Sequence, residues 1–228
     1  MKPRVLITAA NRGLGLEFAR AYAADGWAVV GTSRDTADTA DLRAAGDDVT
    51  VLPFDARDDE SIESLVRTMC DIPLDVVIAN AGVGDSTRNA SEVTREMWTE
   101  IIGINTWAPF RLAVALRPNL ERGTHKKLVG ISSLAASMGS GYNVPGGYIY
   151  RASKTALNQL YHTLSVEWRP LSIVCLVMRP GRARTKLTGF RGDISAEESA
   201  TGMKQAIMNA TLDQTGSFIG YDGQQVAW

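Results

Sequence analysis

The chain is poor in cysteine, histidine and net charge, and each shortage excludes something. Two cysteines, Cys70 and Cys175, lie far apart in 228 residues, so no disulfide framework is expected to hold the fold. Two histidines and two cysteines are too few and too scattered for a metal-ligand cluster, so no metal is expected. The two thiols are read as small buried apolar groups. The formal net charge of -1 creates no field that would draw the chain to nucleic acid or an acidic membrane. No apolar run reaches the roughly 18 residues of a membrane span. The opening Met1-Lys2-Pro3-Arg4-Val5-Leu6-Ile7 looks like the start of a signal peptide. Its apolar run is short, however, and it leads into Asn11-Arg12-Gly13 rather than a cleavage site, so it reads as a first buried strand and the expected compartment is the cytoplasm. Internal repeats, low-complexity stretches and linkers are also missing.

What is there is an alternation of short apolar runs and helical patterns. Apolar residues are 45% and charged residues 21%, ordinary for a globular protein. The length suits one large domain spanning residues 1–228. Strands are expected at Arg4–Thr8, Ala28–Thr32, Val49–Phe54, Asp75–Ala79, Lys127–Ser132, Ser172–Met178 and Ser217–Gly220. Helices are expected at Gly13–Asp25, Thr39–Ala45, Asp58–Cys70, Thr94–Leu120, Tyr148–Arg169 and Ala196–Leu212. Several strands are apolar throughout, as befits strands covered on both faces. Ser195 with Glu198 forms a capping-box pattern before the last helix. The order implies an α/β fold with one doubly wound parallel sheet of about seven strands, helices on both faces, and a ligand crevice at the carboxyl ends of the central strands. Arg182–Ser195 reads as a mobile loop beside that crevice.

Gly13 and Gly15 lie where the first strand turns into its helix. Glycines there permit a tight turn and let backbone N–H groups approach a pyrophosphate at the positive helix end. Two glycines are also compatible with an ordinary strand-helix turn. The second strand ends Gly31-Thr32-Ser33-Arg34, without the acidic residue that commonly binds the ribose of NAD. Ser33, Arg34 and Arg12 suit a 2′-phosphate, hence NADP(H). Either arginine alone could equally be a solvated surface residue. Asp55 after the third strand and Asn80-Ala81-Gly82 after the fourth would let adenine and ribose lie near the backbone.

Tyr150 and Lys154 form a Tyr-x-x-x-Lys pair, and Ser133 ends an apolar run 17 residues earlier. A carbonyl that accepts hydride needs a proton donor at its oxygen. A free tyrosine has a pKa of about 10. The ammonium of Lys154, one helical turn on, favours the phenolate and would lower that value. Ser133 can hydrogen-bond the substrate oxygen. Asn105, a polar residue in an apolar helical stretch, either holds a water in a proton path or merely kinks the helix.

These residues resemble the short-chain dehydrogenase/reductase family across the whole chain. Thr8 with Gly13-x-Gly15 resembles its glycine turn, and Asn80-Ala81-Gly82 its Asn-Asn-Ala-Gly segment with Ala79 in the first place. Asn105, Ser133, Tyr150 and Lys154 match its catalytic tetrad. Pro180-Gly181 and Thr185 resemble the loop that contacts the nicotinamide amide. Asn11-Arg12-Gly13-Leu14-Gly15, the segment Gly146–Asn158 and the closing Tyr221-Asp222-Gly223…Ala227-Trp228 are similar to the sniffer and C-factor group of carbonyl reductases. That resemblance implies NADPH-dependent transfer of hydride to a ketone or aldehyde, with cofactor contacts at Thr8, Asn11, Arg12, Gly13, Leu14, Gly15, Ser33, Arg34, Asp55, Asn80, Ala81, Gly82, Tyr150, Lys154, Pro180, Gly181 and Thr185. It also implies a homodimer or homotetramer joined through the two long helices. Ala9 departs from the pattern by replacing the first glycine, and is expected to be tolerated with some weakening of cofactor binding. Arg182-Ala183-Arg184 is unusually basic, which fits an anionic substrate, more phosphate contacts or a solvated loop, and the solvated loop is the preferred reading. The alternative function is a non-enzymatic, cofactor-binding signalling protein, which would not need a tuned proton donor.

Overall fold

Seven strands form one wholly parallel sheet in the order β3-β2-β1-β4-β5-β6-β7 in a computed structural model that describes residues 2–228. They are β1 (Arg4–Ile7), β2 (Ala28–Ser33), β3 (Val49–Pro53), β4 (Val76–Ala79), β5 (Lys127–Ile131), β6 (Val174–Arg179) and β7 (Phe218–Gly220). Every expected strand is present, shorter by one or two residues at an end in most cases. The chain moves outward from β1 to β3, then crosses back to lay β4 on the other side of β1. That reversal opens the crevice at the carboxyl ends of β1 and β4.

The helices are α1 (Gly13–Ala24), α2 (Ala40–Arg43), α3 (Asp59–Met69), α4 (Arg95–Ile102), α5 (Ala108–Arg122), α6 (Tyr148–Trp168) and α7 (Ala196–Asn209). Strand alternation feeds two cores. Val5 and Ile7 pack with Phe18, Tyr22, Met203 and Ile207 from α1 and α7. Leu6 faces the other way and packs with Leu112, Leu116, Leu157, Tyr161 and Trp168 from α5 and α6. Each such fully buried aliphatic side chain contributes roughly 1.5–3 kcal/mol. Side chains close the orphan amides at several helix starts: Asp58 accepts from the Glu60 N–H at 3.1 Å, and Ser195 from the Glu198 N–H at 2.9 Å, with Glu198 returning the bond to Ser195 N–H at 2.7 Å. No helix among the described residues is long and apolar enough to cross a membrane.

Four expectations change: Cys70, expected to be buried like Cys175, is exposed, and three further differences concern backbone and packing. The long helix over Thr94–Leu120 is interrupted between α4 and α5 by a wide π turn, Gly103–Trp107. Of the apolar residues along that stretch, Leu112 and Leu116 are wholly buried in the core, Phe110 is half-buried, and Trp107 is exposed with its indole N–H donating to Asp59 at 2.9 Å. The segment from Arg182 to Ser195 is closed at its base, where Arg184 N–H donates to Ile194 O at 3.0 Å and Asp193 N–H to Arg182 O at 2.8 Å. It also contains a short 3-10 turn at Lys186–Thr188.

Candidate active site

The turn from β1 into α1 is built to bring backbone close to whatever lies above it. A Cβ on Gly15 would sit 2.3 Å from Ala9 O and 2.8 Å from Asn80 Nδ2, so only hydrogen fits there. Arg12 precedes α1 without capping it through its side chain, and no acidic residue occupies the first turn. The first amides of α1 therefore keep free donors and positive potential for an anion. Gly13 lies with φ +54° beside Thr185. Leu14, Pro180, Gly181 and Thr185 all border the cleft described below. Thr8 is buried, and its hydroxyl accepts the N–H groups of Asn80 and Ala81, each at 2.9 Å. Asn80 Nδ2 donates back to Thr8 O at 2.9 Å. These bonds tie the ends of β1 and β4 together, so Thr8 and Asn80 shape the floor through each other.

At the end of β2, Ser33 is buried and its hydroxyl donates to Asp35 O at 2.8 Å. Arg34 and Arg12 are exposed, and neither makes an ion pair among the described residues. Asn11 Nδ2 reaches Asp38 O at 3.4 Å. Asp55 is paired with Arg57 at 2.7 Å, and that bond, helped by the nearby charge of Arg34, holds its carboxyl below the usual range. The donor set fits a dinucleotide with an extra phosphate: free helix amides at one end, two guanidiniums without partners at the other, and no carboxylate closing β2.

The other half of the site rises from β5 and α6. Ser133 follows β5 by two residues, and its hydroxyl accepts Ala135 N–H at 3.2 Å. Burial pushes the Tyr150 phenol above the ordinary tyrosine range, while the Ser133 hydroxyl pulls it back. The expected downward pull from Lys154 is not what acts here. Its Nζ donates to Ile131 O at 2.8 Å and stands 6.0 Å from the centre of the Tyr150 ring. Burial lowers the Lys154 ammonium to about 8. Gly82 leaves room for both neighbours, since a Cβ there would meet Asn105 Oδ1 at 3.2 Å and Lys154 Nζ at 3.4 Å.

Asn105 lies in the π turn, which aims it into the interior. It is fully buried and its amide is fully used. Oδ1 accepts Val83 N–H at 2.8 Å, and Nδ2 donates to Val83 O at 2.9 Å and Ser153 Oγ at 3.0 Å. It clamps the loop after Gly82 to α6.

Asp85 was not anticipated by sequence reasoning. Gly147 begins α6 in the left-handed region without a capping side chain. Asp85 does the capping from a distance, accepting Ile149 N–H at 2.8 Å and Thr87 N–H at 2.8 Å. Burial works to raise its carboxyl, but the bonds from Thr87, Ile149 and Tyr150 outweigh it and hold the group below the usual range. Asp85, Ser133, Tyr150, Pro180 and Gly181 border one cleft of about 650 Å³. A hydroxyl donor, a second hydroxyl beside it and an ammonium behind them can together deliver one proton to an oxygen and stabilise the charge that moves.

A family model described as short chain dehydrogenase matches residues 3–195. The C-signal protein of Myxococcus xanthus is 30% identical over 168 residues, covering 73% of this chain and all of that protein. The carbonyl reductase Sniffer of D. melanogaster superposes with a TM-score of 0.91 at 27% identity over the whole of both chains. The NADPH-bound carbonyl reductase from chicken fatty liver does so with 0.90 at 26%, again over both whole chains.

Proposed function

The chain belongs to the short chain dehydrogenase family, and from that premise we propose that it is an NADPH-dependent carbonyl reductase, or alcohol dehydrogenase in the reverse direction, acting on a ketone or aldehyde. The observation that carries this reading is the meeting of Ser133, Tyr150, Pro180 and Gly181 on one cleft, with Lys154 buried behind Tyr150. NADPH, when bound, supplies the hydride. Its phosphates are assigned to the amides of the Gly13–Gly15 turn and its 2′-phosphate to Arg34 and Arg12. Tyr150 gives its phenolic proton to the carbonyl oxygen. Ser133 donates its single hydroxyl proton to the same oxygen and so holds it beside Tyr150. Lys154, anchored on Ile131 O, contributes positive charge close to that phenolate. Asn105 keeps Val83 and α6 in fixed relation, so Tyr150 and Lys154 keep their places.

The NADPH-bound chicken reductase supports the cofactor assignment. Similarity to C-signal supports the alternative of a cofactor-binding signalling protein, which has no need of a proton donor. The deciding experiment follows NADPH oxidation against ketones and aldehydes with wild type and Tyr150→Phe. Loss of only the hydroxyl should leave NADPH affinity intact and lower turnover at least about 10²-fold. Unchanged rates in Tyr150→Phe would remove the proton donor from this reading. A homodimer or homotetramer is proposed through α5 and α6, whose outer faces share a groove of about 460 Å³ lined by Phe110, Val114, Leu160 and Leu164. Light scattering at micromolar concentration checks this, and a monomer mass rejects it.

A further inference from the structure

We propose that Arg179 is an anion anchor inside the cleft, so that the carbonyl compound turned over here carries a carboxylate or a comparable acidic group. The inference rests on the carbonyl-reduction reading for what is turned over, and on Arg179 itself for what is bound.

Arg179 is the last residue of β6, directly before Pro180 and Gly181. Along β6, Val177 packs into the core beneath α5 and α6, and Met178 into the opposite core beneath α1 and α7. Alternation turns Arg179 back to the α6 side, where Tyr150 stands, and away from the Gly13–Gly15 turn. It lines the same cleft as Ser133 and Tyr150. Its side chain is only 24% exposed, and its Nε is buried without a hydrogen-bond partner. A guanidinium brought this far out of water ordinarily has its fork filled by a carboxylate. Here Asp222 makes only a long ion pair, its Oδ2 3.9 Å from Nη2, while its Oδ1 accepts Gln224 N–H at 3.2 Å.

The other charges around the cleft do not fill the gap. Asp85 is committed to the start of α6. Arg151 is turned to Val144 O at 2.7 Å and Tyr142 O at 3.0 Å. Asp193 and Arg182 are exposed at the rim, where Arg182 adds a second cation. Arg179 is therefore the half-buried cation of this cleft, held at its Nη end only by the long pair with Asp222. Its planar fork suits bidentate contact with a carboxylate.

The test uses the NADPH-loaded protein, a series of oxo acids of increasing chain length, and their methyl esters. Wild type should prefer at least one acid over its ester by about tenfold or more in kcat/KM, carried by KM, the scale of one charge-assisted contact. Arg179→Gln should erase that preference while leaving kcat/KM for the ester within about threefold, and Arg179→Lys should restore part of it. Esters turned over as well as acids by wild type would overturn the proposal. So would an equal rise of KM for acid and ester in Arg179→Gln, or a loss of NADPH affinity of about tenfold, which would assign Arg179 to the cofactor. If no carbonyl is reduced at all, calorimetry on the NADP⁺-loaded protein with hexanoate against hexanamide separates the two ideas. Hexanoate binding that disappears in Arg179→Gln supports the anchor and removes only the reductase reading. Absence of hexanoate binding to wild type removes the anchor.

Discussion

The Asp85 carboxylate accepts the Ile149 amide at 2.8 Å and the Tyr150 amide at 3.5 Å, so the loop after β4 caps the helix that carries Tyr150. The contact fixes the height of Tyr150 from a point 65 residues away in sequence. Asp85→Ala should lower stability by about 1–2 kcal/mol, the scale of a lost helix cap. It should also lower kcat by roughly tenfold or more, because a small displacement of the proton donor is costly. NADPH affinity should stay near wild type. Denaturant melts with steady-state kinetics check this, and an unchanged kcat would show that Asp85 serves the fold alone.

Ala9 lies at φ +53°, a left-handed conformation that its methyl group opposes. An L-residue in that region loses roughly 1–2 kcal/mol. Ala9→Gly relieves the clash but frees the unfolded chain, so a net gain of about 0.5–1 kcal/mol is expected. The urea midpoint should rise with an unchanged slope. A lower midpoint would contradict the strain.

Burial brings the Lys154 ammonium down to about 8, so its charge is lost as pH rises through that value, earlier than for an ordinary lysine. The Tyr150 phenol, pushed upward, stays protonated over the same interval. Reduction should therefore lose rate on the alkaline side of about pH 8, with Lys154 as the group responsible. Lys154→Arg, which keeps its charge, should be slower but should lose that alkaline limb. A limb unchanged in Lys154→Arg would assign it to another group.

Arg34 is exposed at the end of β2 and makes no ion pair among the described residues. Arg34→Asp should weaken NADPH binding by roughly 1–3 kcal/mol and leave NADH binding nearly unchanged, through lost charge-assisted bonds and added repulsion. Fluorescence titration with both cofactors measures the difference. Equal efficiency of wild type with NADPH and NADH would reject the preference.

The strands were legible because they are buried on both faces, so runs such as Val76–Ala79 and Lys127–Ile131 carry their burial in their composition. The capping box of Ser195 and Glu198 was legible because its partners are three residues apart. The π turn was not, since Gly103-Ile104-Asn105-Thr106-Trp107 has the composition of ordinary helix and widens only because tertiary bonds reward it. Asp85 and Arg179 stayed hidden for a related reason. Neither sits in a local pattern, and each acquires meaning only when distant strands bring it to the cleft. The sign of the Tyr150 perturbation was misjudged because sequence spacing shows that Lys154 is near, but not how far burial acts on both groups.

A π turn holds about one residue more than an α turn, and the flanking helices run on in phase around it. Asn105 can therefore be regarded as the surplus residue of an otherwise ordinary helix. Excising it would let Gly103 through Trp107 rewind into regular α-helix with Ile101 and Leu112 still facing their cores. Substituting it in place would keep the wide turn, and either change leaves the Val83 N–H and C=O without the Asn105 amide. At this one position helix shape and loop anchoring are separable, because substitution removes the anchor alone while excision removes the wide turn with it.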